Sequence, residues 1–221
     1  MNLSFRPANQ EPIIYPPQVI LASQSIGRRT LLEKLGIRFR VAVTRIDEDA
    51  INDKDPLKTM KKRALAKADE VVAHPNVYAI SETGKALVVA ADSMAVIGAR
   101  TFGKAHDRPA AKEMLKALMG KTHTFVTATC FVYMEGLVEK KRWEAITKTR
   151  VTLRKLSPSD MDFYLSRYDF TRFAAAYALN ETPWDLVTKI DGSYTNVIGL
   201  PFEELLPVLK KLEIIKPPVT S

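Results

Sequence analysis

Between Ser23 and Arg29 the chain reads Ser-Gln-Ser-Ile-Gly-Arg-Arg, directly after the short apolar run Gln18 to Ala22. A strand that breaks into a helix leaves backbone N–H groups free at the helix N-terminus, where the helix dipole favours an anion. Ser23 and Ser25 add hydroxyl donors, and Arg28 or Arg29 can make a two-pronged contact to a phosphoryl group. The indicated chemistry is phosphate binding. An ordinary helix cap with both arginines in solvent fits the same spacing equally well.

Carboxylates come next. Ala86 to Ala91 is the most continuously apolar run in the chain, and it is followed by Asp92 and Ser93. A carboxylate ending a central strand must face a partner or a cleft, because ionised groups are not left unpaired inside. That strand end is also where α/β sheets bind ligands. Asp47, Glu48 and Asp49 form a second acidic cluster after another strand. Acidic triplets are usually solvated loop residues, yet magnesium is held by carboxylates together with substrate phosphates, and two acidic sites can share that task. Lys67 lies near the apolar stripe of a long helix, and Lys104 directly follows Gly103 in a loop. Either ammonium can reach a cleft or simply extend to water.

Several familiar sites are excluded. Gly120-Lys121-Thr122 imitates the tail of a P-loop, but the earlier glycine would fall at Leu115 inside a helix, and a strand follows where a helix should. No G-x-G-x-x-G occurs. His123 starts a β segment with no second histidine at ligand spacing, so a histidine metal site is not expected. Cys130 is the only cysteine, which rules out an internal disulfide and cysteine-based zinc patterns, and its apolar surroundings mark it as a core residue.

The elements that must position these groups alternate without a strict βαβ beat. A helix is predicted from about Arg28 to Leu35 with Gly36 after it, then a strand over Arg38 to Val43. Asp55 and Pro56 open a helix reaching about Ala73, with Leu57, Met60, Ala64, Ala68 and Val71 as its apolar stripe. Met94 to Ile97 and Gly98 read as a turn or short hairpin, and Pro109 to Met119 as a helix. Thr122 to Met134 and Leu137 to Leu156 form a hairpin around Glu135 and Gly136. A helix runs from Ser157, Pro158 and Asp160 to about Arg167, and a last one over Pro201 to Leu212 is broken or kinked at Pro207. The expected fold class is α/β, a mixed central β-sheet flanked by helices. Residues 1–17 read as a flexible extension, 18–213 as one domain and 214–221 as a tail.

At 221 residues with 46% apolar and 26% charged content, the chain belongs to the globular class. No run approaches a membrane span and the N-terminal residues lack a signal-peptide core, so a cytoplasmic protein without a membrane partner is expected. The net charge of +8 favours polyanionic partners, either phosphorylated small molecules or nucleic acid. Nucleic acid is the less favoured of the two, because aromatic residues do not interleave with the short basic clusters at Lys61 to Arg63 and Lys140 to Arg142, which read as solvated faces.

The segments LASQSIGRRTLLEKLGI, RIDED, ALAKADEVV, VVAADSMAVIG, TFGKAHD, MGKTHTFVTATC, AAAYALNE and KIDGSYTNVIGLP together resemble the Maf family, from about Val19 to Leu212. The resemblance implies an elongated two-lobed fold of the inosine triphosphatase-like kind with a central cleft. It implies a house-cleaning hydrolase that splits a pyrimidine or modified nucleoside triphosphate into monophosphate and pyrophosphate, with Mg²⁺ or Mn²⁺ and as a homodimer. By the same resemblance Asp92, Lys67, Lys104 and Glu48 are catalytic, Glu48 and Asp92 hold the metal, and Ser23, Arg28, Gly27, Ser93 and Asn180 bind substrate. The chain departs from the family pattern at Ile26, Gly27, Ser93, Phe173, Ala175 and Asn180, so its base-reading positions match neither the pyrimidine nor the methylated-guanine set. A non-catalytic nucleotide or nucleic-acid binder acting as a regulator, for instance of cell division, is the alternative; the joint presence of Glu48, Lys67, Asp92 and Lys104 argues against it.

Overall fold

The computed structural model describes residues 16–167, 169–179 and 186–215. Most of the expected N-terminal extension, Asn180 and residues 216–221 lie outside these. The apolar run at 86–91 sits in the middle of a sheet because both of its backbone edges need partners. It belongs to β3 (Lys85–Ile97), and Ala86 to Ala91 are all buried. β1 (Gln18–Leu21) lies parallel on one edge, pairing Gln18 with Ala86 through Leu21 with Val89. β5 (Thr122–Glu135) runs antiparallel along the other edge as far as Val96. β2 (Phe39–Val41) is parallel to β1, β6 (Val138–Leu153) forms the expected hairpin with β5, and β7 (Val187–Asp191) pairs antiparallel with β6. The short β4 (Arg100–Phe102) folds back onto β3. Among the described residues the result is one mixed sheet in the order β2-β1-β3-β5-β6-β7, with β4 on β3.

Asp92 therefore does not end its strand, contrary to the sequence expectation. β3 continues because β5 satisfies its backbone on one side well past that residue. On the opposite edge β1 pairs only as far as Val89 and β4 begins at Ala95, which leaves residues 90–94 of β3 without a neighbouring strand there. That slot faces the cleft.

Local signals place the helices. α1 (Ile26–Lys34) starts two residues earlier than Arg28, because Ser25 caps it by accepting the Arg28 N–H. Gly36, at φ +67°, follows its C-terminus as expected. The Asp55 carboxylate accepts the Leu57 N–H at 2.9 Å to open α2 (Pro56–Ala73). α3 (Arg108–Leu118), α4 (Pro158–Arg167) and a short α5 (Tyr194–Ile198) precede α6 (Phe202–Lys211). α6 passes unbroken through Pro207, which overturns the predicted interruption. Pro207 and Glu203 both face solvent, so water can satisfy the Glu203 carbonyl that the proline cannot.

Two packing regions share the long strands. At one end α2 covers Val88 and Ala90, while α1 and α6 cover Leu87 and Val89 on the opposite face. At the other end α3 and α4 pack with Ala95, Phe125, Val151 and Leu153. The slot in β3 lies between these two lobes. Ile214 and Ile215 still pack against the first.

Candidate active site

Side chains alternate across a strand, so Asp92 and Ser93 must point to opposite faces of β3. Asp92 faces α2. There Lys67, with its side chain only 6% exposed, places Nζ 3.0 Å from Asp92 Oδ1 and 2.6 Å from Glu48 Oε2. Lys67 also donates to the Ala91 carbonyl in the slot, at 3.4 Å. One ammonium thus bridges two carboxylates from separate loops and strands, and the pair outweighs it by one negative charge. Burying that ammonium is tolerable only because both partners are present. Desolvation raises the Glu48 carboxyl, but Lys67, and behind it Lys104 and Arg28, outweigh that and hold it below its ordinary value. Only Oδ1 of Asp92 is taken by Lys67, so Oδ2 remains for another group.

Ser93 faces the other way, towards α1 and α5, and meets Arg28. The buried guanidinium donates from Nε to the Gly199 carbonyl at 2.8 Å, from Nη1 to Ser23 Oγ at 2.8 Å and from Nη2 to Ser93 Oγ at 2.9 Å. Of five N–H donors, three are used and two are left for a ligand. Ser23 Oγ accepts from Arg28 and from the Ser25 N–H, which leaves its own hydrogen to donate. Arg29, considered equally with Arg28 from sequence, points away and pairs with Glu33 on the helix surface.

Both faces open into one cleft of about 620 Å³, a size typical of small-molecule sites. Ser23, Gly27, Arg28, Glu48, Lys67, Asp92, Ser93 and Lys104 all line it; Asn180 lies outside the described residues. Lys104 sits at the exposed mouth, and its ammonium is pulled below the ordinary lysine value by desolvation and by repulsion from Arg28 and Lys67, against the opposing pull of Glu48 and Asp92. Its backbone is held by a bridge to Ala174, and the Gly103 carbonyl accepts the Ala175 N–H at 2.8 Å. Ala175 has φ +58°, the left-handed region that a glycine adopts at least cost and an alanine only with strain.

Gly27 is not the vacated space that its lack of a side chain suggests. A Cβ there would stand 2.7 Å from the Ile198 carbonyl oxygen, so α5 lies close enough against α1 that only glycine fits. Sequence reasoning also missed Arg63, Thr44 and Tyr177 as cleft residues. Arg63 belongs to a basic cluster read as solvated. Lys61 and Lys62 do pair at the surface, with Glu144 and Asp53, but Arg63 lies one helical turn before Lys67 and shares its face. That i, i+4 spacing was the available signal. Tyr177 is buried with its hydroxyl 2.9 Å from His123 Nε2, a contact between residues 54 apart in sequence. Lys121, the P-loop lookalike, donates to the Ala117 carbonyl at the end of α3.

Glu48 and Asp92, drawn together by Lys67, are carboxylates of the cleft that could hold a divalent cation, and Asp49 also lines it. No group of three acidic, histidine or cysteine donors exists among the described residues. A carboxylate pair without a protein cage fits magnesium or manganese whose remaining ligands are phosphate oxygens and water.

Comparison with known proteins agrees in one direction. Residues 18–212 match the family model described as Maf-like protein. The dTTP/UTP pyrophosphatase of Treponema denticola is 32% identical over 205 residues, covering 89% of this chain and 97% of the relative. The protein of the same name from Pyrococcus furiosus is 33% identical over 200 residues, covering 89% and 95%. A solved nucleoside-triphosphatase / dITP/XTP pyrophosphatase from Mycobacterium abscessus aligns at 17% identity over 68% of this chain and 93% of that one, with a TM-score of 0.35, too low to carry weight.

Proposed function

Because the chain belongs to the Maf family, we propose that it is a nucleoside triphosphate pyrophosphatase, hydrolysing a pyrimidine (d)NTP to the monophosphate and pyrophosphate. The observation that carries this reading is the pairing of Lys67 with both Glu48 and Asp92 in a cleft that also holds Arg28 and Lys104. Arg28 and Lys104 can meet the phosphates of a triphosphate, while Asp92 keeps one oxygen free to act on water. Uridine and thymidine triphosphates are the first choice of substrate because the similar proteins are named for them.

In the reaction a water oxygen bonds to the α-phosphorus, the bond from that phosphorus to the α,β-bridging oxygen breaks, and pyrophosphate leaves. Asp92 accepts the proton of the attacking water. Arg28 and Lys104 bind the phosphoryl oxygens and offset the charge that builds on the leaving group, while Lys67, its three donors given to Glu48, Asp92 and the Ala91 carbonyl, holds the two carboxylates in place. The Ser23 hydroxyl donates to the same chain of phosphates, and Gly27 and Ser93 line the adjoining wall. Glu48 and Asp92 would hold Mg²⁺ or Mn²⁺, which supplies Lewis-acid stabilisation of the phosphoryl oxygens when bound.

We read residues 18–213 as a single catalytic domain, working in the cytoplasm and as a homodimer. No described helix is long and apolar enough to cross a membrane, and the one cysteine is buried and free. The regulatory alternative, a binder without catalysis, gains no support from the cleft, since a pure binder has no use for a carboxylate beside the phosphate-gripping cations. The test is pyrophosphate release over a panel of standard and modified nucleoside triphosphates with Mg²⁺ or Mn²⁺, with and without EDTA. Release from UTP and dTTP that stops on chelation is expected; silence across the panel with both metals rejects the enzyme reading.

A further inference from the structure

Thr127 is a fully buried residue of β5. It lies 2.9 Å from Ser93 Oγ and 3.2 Å from the carbonyl of Asn196 in α5. Counting protons fixes the direction of these bonds. The Asn196 carbonyl can only accept, so the single Thr127 hydrogen goes to it. The Ser93 hydrogen must then go to Thr127 Oγ1, and Ser93 receives the Arg28 Nη2–H at 2.9 Å. Arg28, Ser93, Thr127 and Asn196 form one head-to-tail chain ending on α5.

α5 is itself fixed. The buried Asn196 amide donates to the Phe125 carbonyl at 3.2 Å and to Thr149 Oγ1 at 2.9 Å, stapling the helix across β5 and β6. Just beyond its last turn, Gly199 presents the carbonyl that takes Arg28 Nε. Two of the three groups that hold the guanidinium, Ser93 and the Gly199 carbonyl, are therefore tied together through one hydroxyl. Thr127 itself does not line the cleft.

We propose that Thr127 is a positioning residue, its hydroxyl locking Ser93 to α5 and so aiming the free Arg28 donors at the triphosphate. The proposal rests on Arg28 gripping substrate as read above. Aligned hydrogen bonds strengthen one another, so breaking the middle link loosens both sides. A second consequence is chemical: with its hydrogen spent on Thr127, Ser93 meets the cleft as an acceptor and not as a donor.

The test measures binding of the non-cleavable analogues α,β-methylene-UTP and α,β-methylene-dTTP and release of pyrophosphate from UTP and dTTP, for the full chain and its variants. Thr127→Val keeps the shape and removes the hydroxyl. It should weaken analogue binding and raise KM about tenfold, with a smaller change in kcat, the scale of one charge-linked hydrogen bond. Thr127→Ser should restore both. Ser93→Ala should show the same loss, and the double variant should be no worse than the poorer single one. Wild-type binding in a folded Thr127→Val protein, or losses that add in full, overturns the proposal. Should the valine variant not fold, Thr127→Cys, similar in size with a poor donor, carries the same expectations. A wild-type protein that neither binds nor hydrolyses ends the functional reading and this inference together; an active wild type indifferent to Thr127 ends only the inference.

Discussion

Asp92 and Ser93 are chain neighbours serving opposite faces of one strand, and the two faces are built from different materials. On the α2 side, charge is balanced against charge: Lys67 sits between Asp92 and Glu48. On the α5 side, Arg28 brings the charge, and neutral hydroxyls and carbonyls hold it by direction. Ion pairs tolerate rearrangement when a ligand arrives, because they are weakly directional. Oriented hydrogen bonds do not. The first face suits groups that change partners during a reaction and the second suits a group that must stay aimed.

Variants can break that contrast. The largest effect is expected for Asp92→Asn, which keeps size and removes the charge. Pyrophosphate release should fall roughly 10³-fold, within the range of positioned acid–base groups, while analogue binding survives. Wild-type turnover in the Asp92→Asn protein would remove Asp92 from the mechanism. Gly27→Ala tests the directional face. The added methyl meets backbone 2.7 Å away, so α5 must shift. Overpacking of about 1–3 kcal/mol should lower Tm by several degrees, with affinity falling as Gly199 moves off Arg28. Unchanged Tm and affinity would mean that α5 is not held as tightly as the geometry implies.

The smallest expected effect sharpens the contrast by pH. Burial holds His123, behind Tyr177, down to about 4 from 6.5. Unfolded chains take up this proton near 6.5 and the folded protein only near 4, so its contribution to stability is complete above 6.5 and lost as pH falls towards 4. Tm measured across that window should drop less steeply for His123→Phe than for the wild type. Equal slopes would show that the imidazole is already protonated in the fold.

What the residues announce locally was legible: the Asp55-Pro56 helix start, Gly36 after α1, and the buried run at 86–91. Glu48, Lys67, Asp92 and Lys104 were each ambiguous alone, and family resemblance joined them before geometry did. What depended on distant partners was not legible. β3 outruns Asp92 because of β5, and Arg28 is held by Gly199, 171 residues away. β7 is only five residues long, two of them charged and three exposed, with too few apolar residues to signal a strand. Gly27 reads as a missing side chain until Ile198 is seen above it.

The gap between β1 and β4 has one more consequence. An unpaired strand edge inside a protein normally invites another strand to add to it, which is how sheets aggregate. Here the opening is stopped at both ends by β1 and β4, and at about 3.3 Å per residue it is less than 20 Å long. A second polypeptide has no room to run on. The same closed ends that make the slot a poor template for another chain leave it sized for a guest as short as a row of phosphates.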